Sequence, residues 1–210
     1  MLPLAFAVVG GLIGLGADRL STRWPEHEPD YQQRGLDWRT LVLVVGGAAV
    51  FWALSVRWPD VPALVILLGF ASALLVLLAT DLDQRLLPDL ITLPMAVAAA
   101  VLLILGQNPL LAGKELAYVS AVAAAIGAPV FLFVTDRVLH GALGAGDLKL
   151  AVGIGLLAGL SRLFAGFLVA SVAFAALLIV LIVVGRLSLR TAIPFGPVLI
   201  GASFAAMLLA

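Results

Sequence analysis

Long apolar runs alternate along the chain with short clusters of charge, proline and glycine. A helix that crosses a bilayer needs about 20 mostly apolar residues, with about 17–25 the usual range. Runs of this kind fall at about 2–17, 40–56, 61–80, 90–106, 117–135, 148–161, 163–185 and 193–209. They predict an all-α polytopic membrane protein of about eight transmembrane helices. The sixth run is short, and only Ser161-Arg162 divides it from the seventh. The first run has no basic residue ahead of its apolar stretch and carries Gly10 and Gly14 at GxxxG spacing. It therefore reads as a retained packing helix rather than a signal peptide.

Basic residues set the expected topology, because cytoplasmic loops collect Lys and Arg. The loops after the odd-numbered runs hold Arg19, Arg23, Arg34, Arg39, Arg85, Arg137, Lys149, Arg186 and Arg190. The opposite side holds only Arg57, Lys114 and Arg162. This asymmetry puts both termini outside and the odd-numbered loops in the cytoplasm of a cell with an inner membrane. The one sizeable loop, Asp18 to Arg39, mixes acidic residues with arginines and reads as a solvated connector. It is too small for a core of its own. The chain accordingly divides into residues 1–39, an N-terminal helix with a short loop, and a membrane-embedded unit over 40–210.

Composition narrows the chemistry. Of 210 residues, 63% are hydrophobic and 11% charged, against about 45–50% and about 25% for soluble domains. There is no cysteine, which excludes disulfide scaffolds, thiol catalysis and cysteine-ligated zinc or iron–sulfur sites. The net charge is zero, and no basic run points to nucleic acid. His27 and His140 are the only histidines, so no metal site is expected and each reads as a loop residue. Trp24, Trp38, Trp52 and Trp58 gather near the first two loops, as interfacial aromatic belts do.

Ionisable residues at or within spans are costly and mark functional candidates. Two clusters qualify, both on the expected cytoplasmic side. Asp81-Leu82-Asp83-Gln84-Arg85-Leu86-Leu87-Pro88-Asp89 follows the third run directly, and Gly144-Ala145-Gly146-Asp147-Leu148-Lys149 opens the sixth. Asp147 would lie in the first turn of an apolar helix, where the helix dipole favours negative charge. Gly144 and Gly146 would allow a tight backbone turn. Plain structural readings exist beside these: Asp81, Asp83 and Asp89 as loop charges, Pro88 as a helix-start residue, Lys149 as a snorkelling lysine, and Asp136 and Arg137 as interfacial anchors. The sharper reading pairs two aspartates at one membrane depth. Facing carboxylates share a proton, so one can act as general base on water and the other as general acid. Spacing alone does not bring them together.

Three motifs carry a resemblance. Asp81, six residues, then Pro88-Asp89, followed by Leu90-Ile91-Thr92-Leu93-Pro94, is the first. Gly144-Ala145-Gly146-Asp147-Leu148-Lys149-Leu150 is the second, and Ile193-Pro194-Phe195-Gly196-Pro197 the third. In order and spacing the chain resembles the bacterial type IV prepilin peptidases, membrane aspartyl proteases of the GxGD class. The resemblance implies Asp81 and Asp147 as the catalytic pair, with Asp83 the nearest competitor to Asp81. It also implies that Pro88, Asp89, Gly144, Gly146 and Lys149 shape the site or meet substrate. Pro194, Phe195, Gly196 and Pro197 would form a rigid, partly unwound helix start nearby. Substrates would be prepilins or pseudopilins of a pilus or secretion apparatus, cut after a glycine that ends a short basic leader.

The N-terminal quarter departs from the family. Gly11-Leu12-Ile13-Gly14 opens its first-helix pattern, and Arg23 and Pro25 return in register. The Ser-Phe-Leu-Asn core is absent, with Asp18 where the asparagine would stand. The long loop with paired CxxC zinc motifs, associated with methylation of the new N-terminus, is missing as well. No zinc is therefore expected, and S-adenosylmethionine would serve only if methylation is retained. Two rival readings are a small proton-coupled transporter using the same aspartates and a catalytically silent assembly protein.

Overall fold

The structure, a computed structural model, describes residues 2–25, 35–113, 115–139, 143–185 and 195–209, and of 138 and 139 the backbone alone. The described residues form seven helices. They are α1 (Leu2–Ser21), α2 (Trp38–Arg57), α3 (Val61–Gln84), α4 (Asp89–Ile104), α5 (Ala117–Leu139), α6 (Ala145–Val183) and α7 (Gly196–Leu208). Five of them, α1, α2, α3, α5 and α6, are long and apolar enough to cross a membrane. The molecule is an all-α polytopic membrane protein. Outward-facing side chains such as Leu4, Val65, Phe131 and Val172 are exposed and apolar, as a lipid-facing surface requires.

Local signals set the helix ends. Asp37 caps α2, accepting from the Arg39 and Thr40 N–H groups, while the Asp37 N–H donates to Thr40 Oγ1. This reciprocal arrangement satisfies donors that a helix start leaves orphaned. Asp60 does the same for α3 through the Ala63 N–H at 3.1 Å. Arg85 ends α3 in the left-handed conformation, φ 56° and ψ 37°.

α3 lies at the centre, packed against α1, α2, α4 and α7. Leu67, Leu74, Leu75 and Leu77 give it buried positions around its circumference. α1 and α2 approach to backbone contact, because a Cβ on Gly10 or Gly14 would collide with the Gly47 or Leu43 carbonyl oxygen. The GxxxG glycines thus do the work that such spacing allows: small residues let two helices share van der Waals contact along their backbones.

The sixth and seventh apolar runs form one 39-residue stretch, α6, and its break falls at Gly159 rather than at Ser161-Arg162. Gly159 adopts φ 69° and ψ 174°, open to glycine and strained for other residues. A broken helix in a membrane must satisfy the backbone groups it frees. Buried Asn108 donates to the carbonyls of Leu156 and Leu157 at 3.1 and 3.0 Å. Its own oxygen accepts the Leu110 N–H. On the other side of the break, Ser120 Oγ accepts the Leu160 N–H at 2.9 Å. Beyond it the chain reverses: Gly166 packs near Ala202 and Ala206, whereas Ala170 meets Gly201, nearer the start of α7. The two halves therefore run in opposite senses, and eight helical segments result where the apolar pattern has eight runs.

The break generates a stability prediction. Asn108→Leu leaves two buried carbonyls without donors and should cost about 1–3 kcal/mol. Gly159→Ala adds backbone strain to a clash with Leu111 and Ser120 and should cost at least as much. Thermal unfolding in detergent should show both as lowered midpoints; unchanged midpoints would mean that other contacts hold the corner.

Candidate active site

Asp81 stands in the last turn of α3, where the helix runs on past the apolar stretch to Gln84. It is thus a helical residue and not part of a loop following the span. Its side chain is only 5% exposed. The left-handed Arg85, whose N–H donates to the Asp81 carbonyl at 2.9 Å, turns the chain away and leaves Leu86-Leu87-Pro88 as a short extended link to α4. Pro88 occupies the N-cap position of α4 with φ −65°, where its missing N–H costs nothing.

α6 begins against this link. A Cβ on Gly146 would lie 2.7 Å from Leu87 Cβ and 3.0 Å from the Leu87 carbonyl oxygen, so only glycine lets the two segments touch. Gly144 is the N-cap of α6, and its N–H donates to Asp147 Oδ2 at 3.1 Å. Asp147, in the first turn, is 9% exposed. Among the described residues its buried Oδ1 has no hydrogen-bond partner, and neither has buried Asp81 Oδ2. The two carboxylates lie within electrostatic reach of each other. Two residues 66 positions apart in sequence thus lie at the same end of the bundle.

α7 closes the site from a third direction. A Cβ on Gly196 would lie 2.6 Å from Asp81 Cγ and Oδ2 and 2.7 Å from Oδ1. The start of α7 therefore rests on the Asp81 carboxylate, where its partial positive charge favours the anion. Phe195 is the N-cap of α7, and its ring meets Phe167 at 6.1 Å between centroids. Pro197 stands within the first two helical positions. Pro194, together with His27 and His140, lies outside the described residues.

The remaining carboxylates have other engagements. Lys149 Nζ donates to both Asp89 oxygens at 2.7 and 2.6 Å, linking the first turns of α4 and α6 at the surface. Asp83 is ion-paired with Arg39 from the start of α2, and its side chain is 2% exposed. Three features escaped the sequence reading. Asp18, placed there in a solvated connector, is fully buried and accepts from Thr40 Oγ1 at 2.9 Å. Asp136, read as an interfacial anchor, accepts the Leu143 N–H at 2.8 Å and so steadies the approach to Gly144. Gln84 donates to the carbonyls of Ser21 and Trp24 and ties the end of α3 to that of α1. Only Asp18 gave a usable signal, since it follows the apolar run at helical spacing from Gly14. Among the described residues no three His, Asp or Glu side chains converge as metal ligands would.

The fold is thus a membrane helical bundle with two buried aspartates at one end. Residues 68–210 match the Type IV leader peptidase family, and the chain belongs to that family. It is 33% identical over 161 residues to a prepilin leader peptidase/N-methyltransferase of Burkholderia pseudomallei (strain 1026b). The match covers 76% of this chain and 50% of that relative. A prepilin leader peptidase/N-methyltransferase of Bacillus subtilis (strain 168) is 30% identical over 164 residues, covering 77% of this chain and 62% of the relative. The chain thus spans about half to three-fifths of the length of these curated relatives. No solved structure matches it.

The contact between α7 and Asp81 can be tested without an activity assay. Gly196→Ala should force α7 off the carboxylate and cost about 1–3 kcal/mol, as overpacking does. Gly69→Ala, where a Cβ would meet nothing within 4 Å, serves as the control and should be neutral or slightly stabilising. Equal unfolding midpoints for the two variants in detergent would refute the close packing.

Proposed function

We propose that the chain is a membrane aspartic endopeptidase that removes the leader from type IV prepilin-like precursors, with Asp81 and Asp147 as its catalytic pair. The observation that carries this reading is the burial of these two carboxylates at one end of the bundle, each with one buried oxygen that has no hydrogen-bond partner among the described residues. Family membership and the names of the relatives support the same activity. Residues 40–210 would form the peptidase unit, with the N-terminal helix and its short loop, 1–39, packed beside it.

The chemistry follows from two carboxylates that hold one proton between them. The ionised aspartate takes a proton from water as the oxygen attacks the scissile carbonyl carbon. The protonated one supplies the proton that the amine needs as the C–N bond breaks. Because the two groups then exchange roles, the pair returns to its starting state after each cycle. Asp147 is held by the Gly144 N–H and Asp81 by the start of α7. Neither has to reorganise during the reaction, and such preorganisation accounts for much of catalysis at polar sites. The substrate's apolar helix would lie in the bilayer beside the bundle, its basic leader projecting at the aspartate end. The excess of Lys and Arg in the loops on that side supports a cytoplasmic orientation in the inner membrane.

The test uses purified protein in liposomes with a prepilin whose leader ends in glycine, alongside its Gly→Asp version, and reads products by intact mass. Cleavage of the first substrate alone is expected. Asp81→Asn and Asp147→Asn should each lower the rate by about 10²–10⁴-fold or more, with unfolding midpoints near that of the parent. Full processing by either variant would overturn the assignment. With S-adenosylmethionine present, an added methyl mass on the product would assign the second activity in the relatives' names to this chain as well.

A further inference from the structure

The end of the bundle remote from the aspartates carries a charge arrangement that proteolysis does not use. Arg57 closes α2, and α3 begins four residues later at Val61. The helix from Val61 to Asp81 is about 30 Å long at 1.5 Å per residue, so Arg57 and Asp81 stand about one hydrocarbon thickness apart. Arg162 follows the corner at Gly159 by three residues and precedes by one turn Gly166, which packs against Ala206 near the end of α7, the end to which Trp58, next to Arg57, is bonded through the Met207 carbonyl.

Neither guanidinium forms an ion pair with a carboxylate among the described residues. Asp60, nearest in sequence, turns its Oδ2 to the Ala63 N–H of α3. Arg162 is half-buried, and its Nη1 is fully buried without a hydrogen-bond partner. Arg57 lies over the Trp58 ring, 5.8 Å from its centroid. The Trp58 indole N–H donates to the Met207 carbonyl at 3.0 Å, which fixes the aromatic plate to α7. Two like charges are thus held near each other at the edge of an apolar body, one of them with a desolvated donor. Burial of such a donor is costly unless an acceptor meets it.

An anion between the two guanidiniums would relieve both costs. Arginine forks suit phosphate oxygens, which accept paired N–H bonds. The surroundings are apolar. Leu160 and Phe164, which flank Arg162 in sequence, are 53% and 67% exposed. With Leu116, Ala117, Ser120 and Ser161 they line an open groove of about 620 Å³ between the start of α5 and the corner of α6. We propose that Arg57 and Arg162 bind the phosphate of an anionic phospholipid on the membrane face opposite the aspartates, with an acyl chain in the adjoining groove. Charge complementarity selects the headgroup and the apolar groove selects lipid over free phosphate. The site is independent of the peptidase assignment.

The test uses the full chain in a neutral detergent. Phosphatidylglycerol, phosphatidylcholine and inorganic phosphate are each titrated while unfolding midpoints and native mass spectra are recorded. Phosphatidylglycerol should raise the midpoint and remain bound in the spectrum, phosphatidylcholine should do so more weakly, and inorganic phosphate should do neither. Arg57→Gln and Arg162→Gln should each weaken the phosphatidylglycerol effect by about ten-fold in apparent affinity, as expected for losing one charge-assisted contact. Arg162→Lys keeps the charge without the fork and should fall between. Equal phosphatidylglycerol binding by the parent and a folded Arg57→Gln variant would overturn the proposal. So would stabilisation by inorganic phosphate equal to that by lipid, which would assign the site to a free anion. Failure of Arg162→Gln to fold would leave the decision to Arg57→Gln, whose side chain is exposed.

Discussion

In a membrane interior each backbone N–H and C=O must find its partner within the protein. That constraint decides where this chain can place chemistry. Irregular backbone is tolerable only at helix ends or where side chains complete the missing bonds, and both solutions are present. The corner at Gly159 survives because Asn108 and Ser120 supply the bonds that it breaks. The aspartates, by contrast, sit in the last turn of α3 and the first turn of α6. Helix ends supply both positions, so neither needs an internal break in the hydrogen-bonded backbone.

A second consequence is the use of glycine as a spacer. Hydrophobic burial drives helix association weakly in lipid, so close backbone approach takes over as the source of specificity. At the site the same device has a chemical effect. Gly146 lets α6 start against Leu87, and Gly196 lets α7 start against the Asp81 carboxylate. A side chain at position 146 would push α6 off the link that follows α3, and one at position 196 would push α7 off the Asp81 carboxylate. The glycines of the GxGD and PFG motifs are therefore packing residues: they set how closely α6 and α7 start against the end of α3.

Much of this was legible in the sequence, for a simple physical reason. Apolar runs of bilayer length and their basic flanks are governed by transfer free energies that act residue by residue, so the all-α class and the polytopic character follow directly. The motif aspartates were legible through resemblance, and in the structure Asp81 and Asp147 are both buried at the same end of the bundle. What the sequence could not disclose depends on tertiary contact. Asp18 and Asp136 look like ordinary interfacial charges until Thr40 and the Leu143 N–H are placed beside them. The true corner of α6 was obscured because Ser161-Arg162 is the more conspicuous polar step, whereas Gly159 breaks the helix only with Asn108 positioned to receive it.

The end of α3 illustrates how one helix separates two similar groups. Asp81 and Asp83 are two positions apart, about 200° around the helix axis, and so face nearly opposite sides. Asp83 points to α2 and is neutralised by Arg39; its pairing also draws the start of α2 onto α3. Asp81 points to α6 and α7, where it meets a glycine and another carboxylate rather than a cation in contact. A carboxylate beside a second one, with a single oxygen left unsatisfied on each, retains the freedom to gain and lose a proton that general acid–base chemistry demands. Helical periodicity therefore gives the two aspartates different neighbours, and the Arg39–Asp83 pair ties the start of α2 to the helix that carries Asp81.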